Sequence, residues 1–136
     1  MKFEPDPKID IGESEKVTLG GQDWYVPKLA LRQIKRIAPL IPDIIALLDR
    51  INAAAEAARA DANAAPFALR ADEIETVIAA VHIGLTRAYP HLTRDAFEDL
   101  PIPLGELITA LRVVALQSRA IVPKQGDELG KAQAAA

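Results

Sequence analysis

The sequence predicts a mainly α fold: a small helical domain of four to five helices with one short N-terminal β-hairpin. Three observations predict it. Apolar residues recur at i, i+3, i+4 and i+7 from Ile74 to Ala88 and again from Leu107 to Ile121, which is helical spacing. Gly20-Gly21 separates two short stretches in which apolar and polar residues alternate. The chain has 136 residues and only 4% aromatic content, so it makes one domain around an aliphatic core.

Residues 1–14 carry Pro5, Pro7, Glu4, Asp6, Asp10 and Glu13, the composition of a flexible acidic arm. A single helical domain is expected over 15–122. It opens with the hairpin, in which Val17 and Leu19 alternate on one strand and Trp24 and Val26 on the other. The two glycines supply the positive φ of a tight turn, and Pro27 closes the unit. Two strands alone are marginal in water, so the hairpin must lean on the helices or pair with another chain. Trp24, the only tryptophan, is either a hydrophobic plug over the core or part of an edge strand offered to a partner.

From Lys28 the pattern turns helical. Ala30, Ile34, Ile37 and Ile41 share a face, and Lys28, Arg32, Lys35 and Arg36 fall away from it as a compact basic patch. That patch is either a solvated face or a docking surface for an acidic segment, which the protein's own arm could supply. Pro39 and Pro42 predict a kink or a break. A second helix starts near Asp43, with Ile44, Leu47, Leu48, Ile51, Ala55 and Ala58 on one face. It decays into an Ala-rich mobile spacer near 61–71, pinned by Phe67 and Leu69.

Asp72 and Glu75 have the spacing of a capping box, and Pro90 stops the helix they open. Thr93 is placed to cap a short helix reaching Leu100, with Asp95 in its first turn. Pro101-Ile102-Pro103 forces an extended corner, and the last helix begins near Leu104. The tail, 123–136, has the glycine and polar content of a disordered segment.

The composition and motifs argue against catalysis. There is no cysteine, hence no thiolate chemistry and no cysteine-based zinc site. His82 and His91 lack metal-ligand spacing. The Asp95, Glu98, Asp99 cluster reads as a solvated face, and no phosphate loop or nucleophile elbow is present. No cofactor or metal is expected, and the protein is not expected to be an enzyme. A net charge of −3 gives no case for whole-protein nucleic-acid binding, and no apolar run is long enough to span a membrane. A soluble protein is expected.

The informative anomaly is apolar surface on second faces. Ile83 projects opposite the main stripe of its helix, and Val113 and Leu116 project opposite Leu107, Leu111 and Val114. A helix apolar on both sides is either sandwiched or used in an interface, including a homo-oligomeric one.

Two blocks carry a family resemblance. One is VTLGGQDWYVPKL, Val17 to Leu29. The other, Glu75 to Val114, has the form E-x-x-x-V-I-x-x-V-x-x-x-L-x-R-x-Y-P-x-L-T-x-D-x-F-E-D-L and continues to G-E-L-I-x-A-L-x-V-V. The order of elements and these motifs resemble the tail assembly chaperones of long-tailed bacteriophages and prophages. Tyr89-Pro90-x-Leu92-Thr93-x-Asp95 is the most distinctive piece, and it is a turn and a cap. The resemblance implies a non-catalytic protein of the host cytoplasm, absent from the mature virion. Its implied partners are the tape-measure protein, whose hydrophobic helices it keeps soluble, and the tail-tube protein, whose subunits it helps recruit. The partner-binding candidates from face geometry are Trp24, Lys28, Arg32, Lys35, Arg36, Ile83, Val113 and Leu116. Two other readings stay open: a structural or adaptor subunit of a tail or head assembly, and a regulator that binds nucleic acid through the basic patch.

Overall fold

The computed structural model describes residues 4–64 and 66–118; the tail expected over 123–136 and the predicted core position Ile121 lie outside them. The fold is mainly helical with an N-terminal two-stranded antiparallel hairpin.

Strands β1 (Glu15–Leu19) and β2 (Gln22–Val26) pair with Leu19 opposite Gln22. Gly20 and Gly21 are thereby the two turn residues, with φ of 63° and 83°. Period-two alternation sends Val17, Leu19, Trp24 and Val26 inward. The hairpin leans on the helices, as a two-stranded unit must. The Glu106 carboxylate accepts from the Gly20 N–H at 2.9 Å, and the Gln117 side-chain amide donates to the Val26 carbonyl at 2.8 Å. Both residues belong to the last helix, so the hairpin turn and the end of β2 are tied to its two ends.

Helix α1 (Leu31–Ile37) runs through a 3-10 turn, Ala38–Leu40, into α2 (Ile41–Ala60). Pro39 and Pro42 are the second residues of the turn and of α2, within the first turn where the N–H has no helical partner to lose. Ala30 cannot cap α1, and Gln33 reaches back instead, accepting from the Ala30 N–H at 3.2 Å. The inner face of α2 is narrower than its apolar stripe. Ile44 and Leu47 are buried and Leu48 and Ile51 half-buried, but Ala55 and Ala58 are exposed. The second half of α2 outlasts the body it packs on.

Helices α3 (Ala71–Leu85), α4 (Arg94–Glu98) and α5 (Leu104–Ser118) complete the fold. The start of α3 differs from the expected Asp72 cap. Arg70 is the N-cap, and Glu73, not Glu75, accepts the cap residue's N–H at 2.9 Å. Thr93 caps α4 as expected, its hydroxyl oxygen accepting from the Ala96 N–H at 3.1 Å. Val77, Val81 and Leu85 of α3 and Leu107, Leu111 and Val114 of α5 join Trp24, Ile37 and Ile44 in one core. Gly84 lets α3 and α5 approach closely, because a Cβ there would run into the Val114 side chain.

The described part of the N-terminal arm, 4–14, makes contacts that its composition does not announce. Ile9 is buried in the core, and the Asp6 N–H donates to the Ala88 carbonyl at 2.6 Å. Asp10 caps a 3-10 turn, Ile11–Glu13, through the Gly12 N–H. One apolar side chain and a short capped turn anchor a segment whose composition suggests only a solvated tail.

Candidate functional site

The residues around the spacer form the most site-like arrangement, and it starts from Arg50. This side chain lies on the inner flank of α2, within reach of both the start of α3 and the segment that precedes it. Its Nε donates to Glu73 Oε2 at 2.8 Å and its Nη2 to Glu73 Oε1 at 2.5 Å, a forked pairing. Nη2 also donates to the Ala68 carbonyl at 2.8 Å, and the guanidinium lies 4.5 Å from the Phe67 ring centre. One arginine thus clasps residues 67–68 to two helices. Glu73, capping α3 at the same time, is drawn down to about 2 by the Arg50 hydrogen bonds first and the Arg70 N–H second, with burial opposing.

The expected mobile spacer is therefore held at its return end. Leu69 packs half-buried against the core, as its proposed pinning role requires. Phe67 is held by Arg50, and its ring stays partly in solvent.

On the far side of this strap lies an apolar groove of about 570 Å³. Ile51 of α2 forms one wall, Phe67, Ala68 and Leu69 a second, and Leu104, Gly105 and Ile108 of α5 the third. The Pro101-Ile102-Pro103 corner sets where α5 begins, and the Leu107 N–H donates to the Pro103 carbonyl at 3.1 Å. Leu104 and Ile108, one turn apart, then share a flank distinct from the inward Leu107 and Leu111. Leu104 is 46% exposed, and nothing lies within 4 Å of where a Gly105 Cβ would stand. The groove is open and carries no reactive group on its walls. It can accept apolar side chains and offers no chemistry.

The sequence-derived candidates scatter. Trp24 is 1% exposed, its ring edge-on to Tyr89 at 4.9 Å between centres. Its side chain plugs the core, the first of the two readings the sequence offers, and presents almost no side-chain surface for docking. Ile83 and Val113 are half-buried and lean on the core, so the fold spends most of their apolar surface inside. Leu116 is 76% exposed. Lys28, Arg32, Lys35 and Arg36 are all exposed. The acidic arm reaches only one end of that patch: Asp10 and Glu13 line a shallow recess with Lys28 and Arg87.

Sequence reasoning missed the groove and Arg50. The available signal was Leu104-x-x-x-Ile108, a second apolar flank beginning at the first turn of α5. His82 is engaged structurally, its Nε2 lying 2.8 Å from the Leu92 carbonyl oxygen. Among the described residues no group of three or more His, Cys, Asp or Glu is placed to hold a metal ion, and no helix is long and apolar enough to cross a membrane.

No protein family, curated protein or solved structure matches this chain. The structure thus defines a class by architecture: a mainly helical domain whose hairpin is tied to α5, with an open apolar groove beside the spacer.

Proposed function

We infer that this protein is a non-catalytic assembly chaperone that holds an amphipathic helix of a client. The observation that supports this is the open groove between Ile51, Phe67, Leu69, Leu104 and Ile108. A groove with apolar walls and unreactive lining suits the apolar face of a helix presented at i, i+3 and i+4. The motifs from Glu75 to Val114 that resemble tail assembly chaperones of long-tailed phages give the client its class: a tape-measure protein, whose long helices need shielding before the tail tube polymerises around them. Recruitment of tail-tube subunits belongs to the same reading.

A photocrosslinking residue at position 104, introduced in cells that make the protein, tests this. The expected adduct is to a very long helical protein, and the chaperone itself is expected to be missing from purified particles. Adducts only to small subunits, with the protein retained in particles, would overturn the chaperone reading in favour of a structural or adaptor subunit.

A further inference from the structure

Every arginine outside α1 has a fixed partner among the described residues. Arg50, Arg59, Arg70 and Arg94 bind carboxylates, Arg87 donates to the Lys28 carbonyl, and Arg112 donates to Asn52. The cations of α1 differ. No hydrogen bond or ion pair among the described residues uses the side chain of Arg32, Lys35 or Arg36. They stand on a seven-residue helix, LRQIKRI, that contains no acidic residue.

The arrangement is unfavourable to the isolated domain in two ways. Arg32 stands three and four residues from Lys35 and Arg36, so like charges face each other across one turn. Arg32 also lies in the first turn, where the helix dipole disfavours a cation. Lys35 and Arg36, in the last turn, suit the dipole and are explained by it. Beside them Leu31, one turn before Lys35, is 78% exposed. A large apolar side chain set among unneutralised cations is a mixed surface, not merely a solvated one.

We propose that this face of α1 — Leu31, Arg32, Lys35 and Arg36 — is a docking surface for a short acidic segment of a partner protein, one that carries an apolar residue beside its carboxylates. Charge complementarity selects an acidic occupant. The helix is about 10 Å long, which limits the occupant to a few residues. The protein's own net charge of −3 opposes a long polyanion while leaving a short local contact favourable. Its own acidic arm stops at the edge of this face, where Asp10 and Glu13 line the recess at Lys28 and Arg87, and among the described residues it makes no hydrogen bond or ion pair with Arg32, Lys35 or Arg36.

The surface is separate from the groove, so the two fail independently. Fluorescence anisotropy with a labelled peptide of repeating Glu-Glu-Leu, and in parallel with a DNA duplex, tests it on the full chain. The expected result is salt-sensitive peptide binding that weakens about tenfold or more in Arg32→Glu, since several exposed pairs are lost together. Arg32→Glu removes the first-turn repulsion, so its thermal midpoint is expected to stay level or rise, which separates lost binding from lost folding. Leu31→Ser weakens peptide binding as well, and Leu104→Asp leaves it unchanged. Equal peptide affinity in wild type and Arg32→Glu, or tighter binding of the duplex than of the peptide, would overturn the proposal.

Discussion

Gly84 of α3 and Val114 of α5 share one volume: the Cβ that Gly84 lacks would stand 2.7 Å from Val114 Cγ1 and closer still to Cγ2. The two helices that build most of the core are therefore set at a spacing only a glycine permits. Gly84→Ala raises intrinsic helix propensity yet is expected to destabilise by about 1–3 kcal/mol through overpacking. Denaturant unfolding measures it. Val114→Ala in the same chain should recover part of the loss, because it vacates the contested space, and non-additivity of the pair is the signature.

The turn glycines offer a second comparison. Both have positive φ, but a Cβ at Gly20 would lie 3.3 Å from the Pro101 carbonyl oxygen, whereas a Cβ at Gly21 would meet nothing within 4 Å. Gly21→Ala is expected to cost about 1–2 kcal/mol from backbone strain alone. Gly20→Ala should cost more and should also disturb the bond from its N–H to Glu106. Thermal melts of the two variants side by side decide the order, and equal costs would mean the Pro101 corner yields.

Glu73 links stability to acid. Its carboxyl is lowered from 4.5 to about 2 in the folded protein, so the unfolded chain takes up a proton more readily. The stability this contributes is fully present above about pH 4.5 and fades as pH falls toward 2. Melts between neutral pH and pH 2 should show wild type losing stability across that window. Glu73→Gln is expected to start lower at neutral pH and to lose less on acidification. Parallel curves would assign the acid loss to other carboxylates.

Arg50→Lys keeps a positive charge but loses the fork that reaches Glu73 and Ala68 together. The strap at 67–69 should open more often while the core, which Arg50 does not enter, stays intact. Trypsin cleavage after Arg70 is the readout, with an acceleration of about tenfold expected from losing hydrogen bonds to a charged group. An unchanged cleavage rate would show that Leu69 alone holds the strap.

What the sequence made legible follows the range of each interaction. The hairpin turn, the break at Pro39 and Pro42, and the Thr93 cap depend on neighbours in the chain, and composition alone locates them. The misplaced start of α3 is a local error: Asp72 looks like the better cap, but the strap delivers Arg70 to that position and Glu73 serves it. The contacts of the arm are not legible in the sequence, because one buried Ile9 does not show through its polar composition. The groove was out of reach. It needs Ile51, Phe67 and Leu104 in one place, and no periodicity joins residues on three separate segments. The second apolar faces were visible, but whether Ile83 and Val113 turn to solvent depends on the layers packed over them.

The bond from Arg50 to Ala68, eighteen positions apart, closes the base of an excursion that includes the solvent-exposed half of α2. Past Ala54 none of the described residues of this excursion is buried. The described residues thus divide into a folded body and a finger knotted off at its root. Lengthening the finger by whole helical turns beyond Ala54 is expected to leave the groove at its base in place, because Ile51 and Phe67 sit at the root. A pull on the far end of this excursion would reach the Phe67 wall at the point where Arg50 and Leu69 hold it, so reach and grip meet at one short strap.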